Sequence, residues 1–145
     1  MRPRFSGPPL GLRLARTSKT VGRAFNDALA TAGGSLPIWL VLSSLRGGAR
    51  PAQNQLALAM GIEGPTLTRH LDALEEAGLV RRVRDVDDRR VVRVELTPSG
   101  EALHAALLEV VIDFNRRLRQ GLSSDDIASL ERMLARLEAN VAGSD

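Results

Sequence analysis

The chain has 145 residues, 43% apolar and 26% charged, the proportions of one globular domain. Its 20 basic and 17 acidic residues leave a net charge of +3, too small to name a polyanionic partner unaided. Cysteine is absent, which excludes disulfides, thiolate metal sites and cysteine redox switches, and fits a reducing compartment. Residues 1–9, with Gly7, Pro8 and Pro9, read as a loose arm. Leu10, Leu14, Thr17, Val21, Ala24 and Ala28 then recur at spacings of four and three, a helical stripe. Six cations and no acid lie between Arg2 and Arg23, and a solvated helix face accounts for them without a ligand. Gly33-Gly34 breaks this helix. Ser35 can cap the next, with Pro37 in its first turn, and Ile38, Trp39, Val41, Leu42 and Leu45 follow until Gly47-Gly48 ends it.

A short helix is expected from Gln53 to Met60, then a tight turn at Gly61-Ile62-Glu63-Gly64. Pro65 opens another helix with Leu67, Leu71 and Leu74 on one face, and Gly78 is placed to end it. The pattern then changes. Leu79-Val80 and Val91-Val92-Arg93-Val94-Glu95-Leu96 are β-prone, with a polar tip over residues 85–90, so a hairpin is expected. Thr97-Pro98 starts a long helix striped by Leu103, Leu107, Val110, Phe114 and Leu118. After Gly121, Ser123 and Asp126 make a capping box for a last helix carrying Ile127, Leu130, Leu134, Leu137 and Val141.

Helix, tight turn, helix and hairpin in this order are a winged helix-turn-helix. Ala57 is small where the first helix approaches the second, and Gly61 supplies the turn conformation that a Cβ resists. The leucines of the second helix face inward, so its other face offers Thr66, Thr68, Arg69 and Asp72 or Glu76. A helix N-terminus with short hydroxyls suits a major groove, and arginine can contact guanine through two hydrogen bonds. Residues 81–93 hold six arginines, Arg81, Arg82, Arg84, Arg89, Arg90 and Arg93, against Asp85, Asp87 and Asp88. An arginine at a hairpin tip can enter a narrow A·T-rich minor groove. An ordinary exposed helix and a solvated turn are the bland alternatives.

Gly78-Leu79-Val80-Arg81-Arg82, Asp88-Arg89-Arg90 and Leu96-Thr97-Pro98-Ser99-Gly100 resemble the wing and the start of the fifth helix in the MarR family of bacterial transcription factors. Ser35-Leu36-Pro37-Ile38-Trp39, Pro65-Thr66-Leu67-Thr68-Arg69 and Leu74-Glu75-Glu76-Ala77-Gly78-Leu79-Val80 resemble further family segments. The resemblance spans nearly the whole chain. It implies an interlocked homodimer, a minor-groove arginine at Arg90 oriented by Asp88, and an effector pocket between the dimerisation helices and the DNA-binding lobe. Two departures stand out. Val86 replaces a common proline, which implies a looser wing. Ala52 replaces a common Ser or Thr cap, a loss of about 0.5–2 kcal/mol unless a local group compensates.

The expected architecture is mainly α with a small β-hairpin wing: an arm and first dimerisation helix over 1–33, a winged helix-turn-helix lobe over 34–100, and C-terminal dimerisation helices over 101–145. The expected DNA contacts are Pro65, Thr66, Thr68, Arg69, Arg82, Arg84, Asp88, Arg89 and Arg90, on double-stranded DNA. Leu10, Leu14, Val21, Leu107, Val110, Phe114, Leu130, Leu134 and Leu137 are expected to dimerise the chain, because the lobe is too small to cover all the long helices' stripes; a monomeric bundle is the alternative. Two reading helices would then lie roughly 34 Å apart, on an imperfect palindrome.

A small aromatic or phenolic effector would lie against Phe25, Trp39 and His104, although core packing also explains the two aromatics. His70 and His104 lie on different elements with no ligand cluster, so neither a metal nor another cofactor is expected. No apolar run suits a membrane span or a signal peptide, which points to a cytoplasmic location. With four aromatic residues, a single-strand binder built on stacking is disfavoured. No P-loop, dinucleotide fingerprint or nucleophile constellation supports an enzyme. The sequence therefore reads as a sequence-specific, ligand-responsive repressor, with a winged-helix protein-interaction module as the alternative.

Overall fold

The computed structural model describes residues 6–143; Arg2, Arg4 and Phe5 lie outside them. Two compact units divide the chain, 1–111 and 112–145. The first unit begins with α1 (Leu10–Ala30), whose end is turned by Gly34 N–H donating to the Leu29 carbonyl at 3.0 Å. Helix α2 (Leu36–Leu45) follows. Ser35 caps it as expected, its Oγ accepting from Ile38 N–H at 3.4 Å. Val41, Leu42 and Leu45 are fully buried, and α2 packs against α1, α3, α4 and the wing. A short 3-10 turn, Arg46–Gly48, leads out of it.

Helices α3 (Gln53–Met60) and α4 (Gly64–Glu76) are joined through Gly61, whose φ of 65° is the left-handed conformation the turn requires. Ala52 has no side-chain oxygen with which to cap α3. The capping contact runs the other way: Ala52 N–H donates to Gln55 Oε1 at 3.1 Å. Ala52 is buried and bridges Arg93, while Val94 N–H donates to the Pro51 carbonyl at 3.0 Å. Residues 51–52 thus bridge the outer edge of the wing's second strand, which the sequence pattern did not announce.

The wing is the antiparallel pair β1 (Val80–Arg84) and β2 (Val92–Leu96), with Val80 opposite Leu96 and Arg84 opposite Val92. Alternation puts Val80, Arg82, Val94 and Leu96 on the inner face. Helix α5 (Pro98–Leu118) starts where Thr97 Oγ1 donates to the Gly78 carbonyl at 2.6 Å and accepts from Gly100 N–H at 3.1 Å.

Leu107 corrects an expectation. Placed by its spacing in the stripe facing a second copy, it is fully buried in the chain's own core, against the Cβ-less surface of Gly34. Val110 is half-buried and packs on the same core, whereas Leu10 is 64% exposed.

The second unit holds the end of α5 and α6 (Ser124–Ala142). The capping box is formed: Asp126 N–H donates to Ser123 Oγ at 3.1 Å and Ser123 N–H to Asp126 Oδ2 at 2.8 Å. Phe114 is half-buried, with the Arg117 guanidinium 5.2 Å above its ring. Along α6 no residue is buried; Leu130 and Met133 are exposed, and Leu134 and Leu137 are half-buried. Among the described residues, no helix is long and apolar enough to cross a membrane.

Candidate nucleic-acid interface

Two elements build the site: the N-terminal turns of α4 and the tip of the wing. Pro65 sits in the first turn of α4, where its missing N–H costs nothing. Pro65 and Arg69 are exposed and Thr66 is half-buried. No ion pair or hydrogen bond within the described chain holds Arg69. Thr68 differs, because its hydroxyl donates to the Gly64 carbonyl and accepts from Gln53 Nε2, both at 3.0 Å. It ties α3 to α4. A cleft of about 410 Å³ lies beside it, lined by Gln53, Asn54, Gly64, Thr68, Arg90 and Val92.

The structure sorts the six wing arginines into two groups. Arg82 lies on the inner face, and Nη2 reaches Asp72 Oδ1 at 2.6 Å and Glu75 Oε1 at 3.0 Å. Its N–H donates to Glu75 Oε2 at 2.9 Å. These bonds hold the Glu75 carboxyl below its usual range and raise the Arg82 guanidinium, Glu75 being its main partner. Arg82, expected among the DNA contacts, is thus engaged between the wing and α4, with its side chain only 21% exposed. Arg84, also expected there, donates to the Arg89 carbonyl at 2.8 Å and closes the hairpin. Arg81 pairs with Glu95 at 3.0 Å, and Arg50 joins the same carboxylate at 2.7 Å. Arg93 pairs with Asp85 and donates to the Arg50 carbonyl at 3.0 Å.

Arg89 and Arg90 remain at the tip. The Arg90 side chain is 91% exposed, yet it is oriented: Nε donates to Asp88 Oδ1 at 3.1 Å and Nη2 to Asp88 Oδ2 at 3.2 Å. The Arg90 bonds hold the Asp88 carboxyl below its usual range, so it stays ionised. Arg89 is exposed, with no bond from its guanidinium to the described chain. Three outward guanidiniums, Arg69, Arg89 and Arg90, are therefore carried on one lobe whose other wing arginines are engaged.

Sequence reading missed Gln53, Arg50, Asp85 and Arg93 as parts of this construction. The hairpin register was the available signal: once Val80 is set opposite Leu96, Arg81 falls opposite Glu95, and Arg93 falls diagonal to Asp85.

Elsewhere in the first unit, Trp39 of α2 and His104 of α5 stack with centroids 5.1 Å apart and planes at 8°. Phe25 packs on the same core as Trp39. His104 Nε2 is buried without a hydrogen-bond partner, as is Ser43 Oγ. No group of three or more metal-ligating side chains occurs among the described residues.

The MarR family model matches residues 35–92. A mutant of E. coli MarR, complexed with operator DNA, is 29% identical; the match covers 89% of this chain and 93% of that one, with a TM-score of 0.81. The transcriptional repressor CouR, bound to a 23-mer DNA duplex, is 32% identical over 89% of this chain and 92% of its own, with a TM-score of 0.82. The transcriptional regulator PA3341 is 34% identical over 92% and 98%, with a TM-score of 0.76.

Proposed function

The chain belongs to the MarR family of winged-helix transcription regulators, and from that premise we propose that it is a sequence-specific regulator of double-stranded DNA, a repressor that releases its operator when a small effector binds. The observation that carries this reading is the paired presentation of Arg69 at the start of α4 and Arg90 at the wing tip, the latter aimed by Asp88 at 3.1 Å. Arg69, with Pro65 and Thr66 beside it, serves the major groove. Arg90 serves the minor groove and Arg89 the flanking phosphates. Thr68, Arg82 and Arg84 act through geometry, by holding α3, α4 and the wing in one arrangement. The DNA complexes of MarR and CouR support the same partner here.

The functional unit is a homodimer. Its support is α6, a 19-residue helix with an apolar stripe and no buried residue, together with the exposed Leu10 and Leu14 of α1. A two-fold partner covers such stripes, with Val21, Val110, Phe114, Leu130, Leu134 and Leu137 contributing. In this reading 1–33 and 101–145 serve mainly dimerisation and 34–100 serves DNA, with Leu107 assigned to the core. Two lobes on one dimer call for an imperfect palindrome. The effector is an aromatic or phenolic molecule at Trp39, His104 and Phe25, where a buried unpartnered imidazole nitrogen offers a hydrogen bond. It acts by its differential affinity for the lobe arrangement that fits the operator poorly. The site of action is the cytoplasm.

The test is an anisotropy titration with the duplex upstream of the protein's own gene and with duplexes the protein selects from a random pool, against random competitor DNA. Competitor-resistant binding of two protomers per site supports the reading. Weak, competitor-sensitive binding to all of them refutes it and favours a protein-interaction module.

A further inference from the structure

The five residues that turn the wing, 86–90, carry an exposed valine where a proline would fix the backbone, and Val86 is 89% exposed. The tip is nevertheless closely bonded, and the bonds converge on one side chain. Asp85 Oδ1 accepts from the N–H of Asp87 at 2.9 Å and of Asp88 at 3.0 Å, while Oδ2 holds the Arg93 guanidinium. Asp85 N–H donates to the Val91 carbonyl, and Val91 N–H to the Asp88 carbonyl, both at 2.9 Å. Arg93 continues to the Arg50 carbonyl, just before the Ala52 bridge. The Asp85 side chain is only 13% exposed, although it lies beside the most exposed part of the wing.

We propose that Asp85 is a positioning residue for duplex binding: it ties the wing tip to the body of the lobe and so fixes the backbone from which Asp88 aims Arg90. The proposal rests on the DNA-binding reading above. The chain of bonds runs from the Arg50 carbonyl through Arg93 and Asp85 to the Asp88 amide, and from the Asp88 carboxylate to the Arg90 guanidinium. Without the Asp85 carboxylate, the Asp87 and Asp88 amides lose their acceptor and Arg93 loses its partner. Asp88 would still pair with Arg90, but the pair would move with a loose tip. A preordered arginine binds at lower entropic cost than one that must be ordered on contact. The carboxylate is available throughout the neutral range, because the Arg93 bond, aided by the two amides, holds its pKa at about 2.

A double-mutant cycle on a selected duplex tests this. Asp85→Ala is expected to lower the melting temperature and, measured well below it with the dimer intact, to weaken binding tenfold or more. On an Arg90→Ala background, Asp85→Ala should add less than twofold, because its effect passes through that arginine. On an Arg69→Ala background its full effect should persist. Arg93→Met removes the partner and leaves the carboxylate, and should reproduce part of the loss, so the proposal stays testable if Asp85→Ala folds poorly. Unchanged affinity in Asp85→Ala and Arg93→Met, or equal losses on all backgrounds, would overturn the proposal. Failure of the wild type to select any duplex would instead overturn the DNA-binding reading on which it rests.

Discussion

Gly100→Ala sets helix propensity against packing. In an exposed helix interior this change gains about 1 kcal/mol, because alanine loses less backbone entropy than glycine. At position 100 the new methyl group would land on the Leu79 carbonyl oxygen, with the Leu79 carbonyl carbon at 3.1 Å and Leu96 Cδ2 at 3.0 Å. The obstacle is backbone, so it cannot rotate away. Its surroundings are pinned, since Thr97 bonds the Gly78 carbonyl and its N–H bonds the Leu79 carbonyl at 3.1 Å. The start of α5 must therefore retreat by roughly 1 Å, and overpacking of this kind costs about 1–3 kcal/mol, occasionally more. Overlap this deep with a backbone oxygen puts the cost at the upper end of that range, about 2–3 kcal/mol, so after the propensity gain the net loss is about 1–2 kcal/mol and Tm falls by roughly 3–8 °C for a chain of this size. Thermal unfolding followed by circular dichroism, at one protein concentration for both proteins, measures it. An unchanged or raised Tm would refute the packing argument.

Arg69→Ala should weaken binding at the selected site by about 1–3 kcal/mol and relax preference at one base step, as read from a panel of single-substituted duplexes; a uniform loss across the panel would make Arg69 a phosphate contact. Leu130→Glu, at a residue 44% exposed in the single chain, should shift sedimentation from dimer to monomer. Covering the 44% of each leucine that is still exposed contributes about 0.7–1.3 kcal/mol and the two-fold axis doubles it, so the dimer Kd should rise at least about tenfold. The carboxyls of Glu75, Asp85, Asp88 and Asp126 all titrate below their usual values in the folded chain. The stability they add is complete above the unfolded values of 4.5 for Glu75 and 3.8 for the aspartates, and is lost as pH falls through the lowered ones. Tm should drop as pH falls below about 4, with the Asp85 share persisting towards pH 2; a Tm unchanged between about pH 5 and pH 3 would contradict this assignment.

Much of the fold was legible because its signals are local. Ser35, Ser123 with Asp126, Gly61 and Gly78 each act within a few residues of themselves, and each does in the structure what its residue type implies. The wing strands were legible from alternation, and the motifs around Arg69 and Asp88-Arg89-Arg90 from resemblance. The rest depends on pairings across elements. Arg82 looks like any wing arginine until Asp72 and Glu75 of α4 are brought beneath it. Leu107 and Leu130 share helical periodicity, yet one closes on Gly34 within the chain and the other is left exposed in the single chain. The bridge at Ala52 escaped notice because Pro51 and Ala52 make too short a run to show alternation.

The central claim is that the dimer reads duplex DNA through the reading helix and the wing arginine. Its most direct test is the salt dependence of operator affinity for wild type and Arg90→Ala, titrated on the same selected duplex. The wild type should show a steep linear fall of log K with log salt, and the variant a weaker affinity with a slope shallower by about two charges, one for each protomer. Equal affinities and equal slopes would contradict the account at its centre.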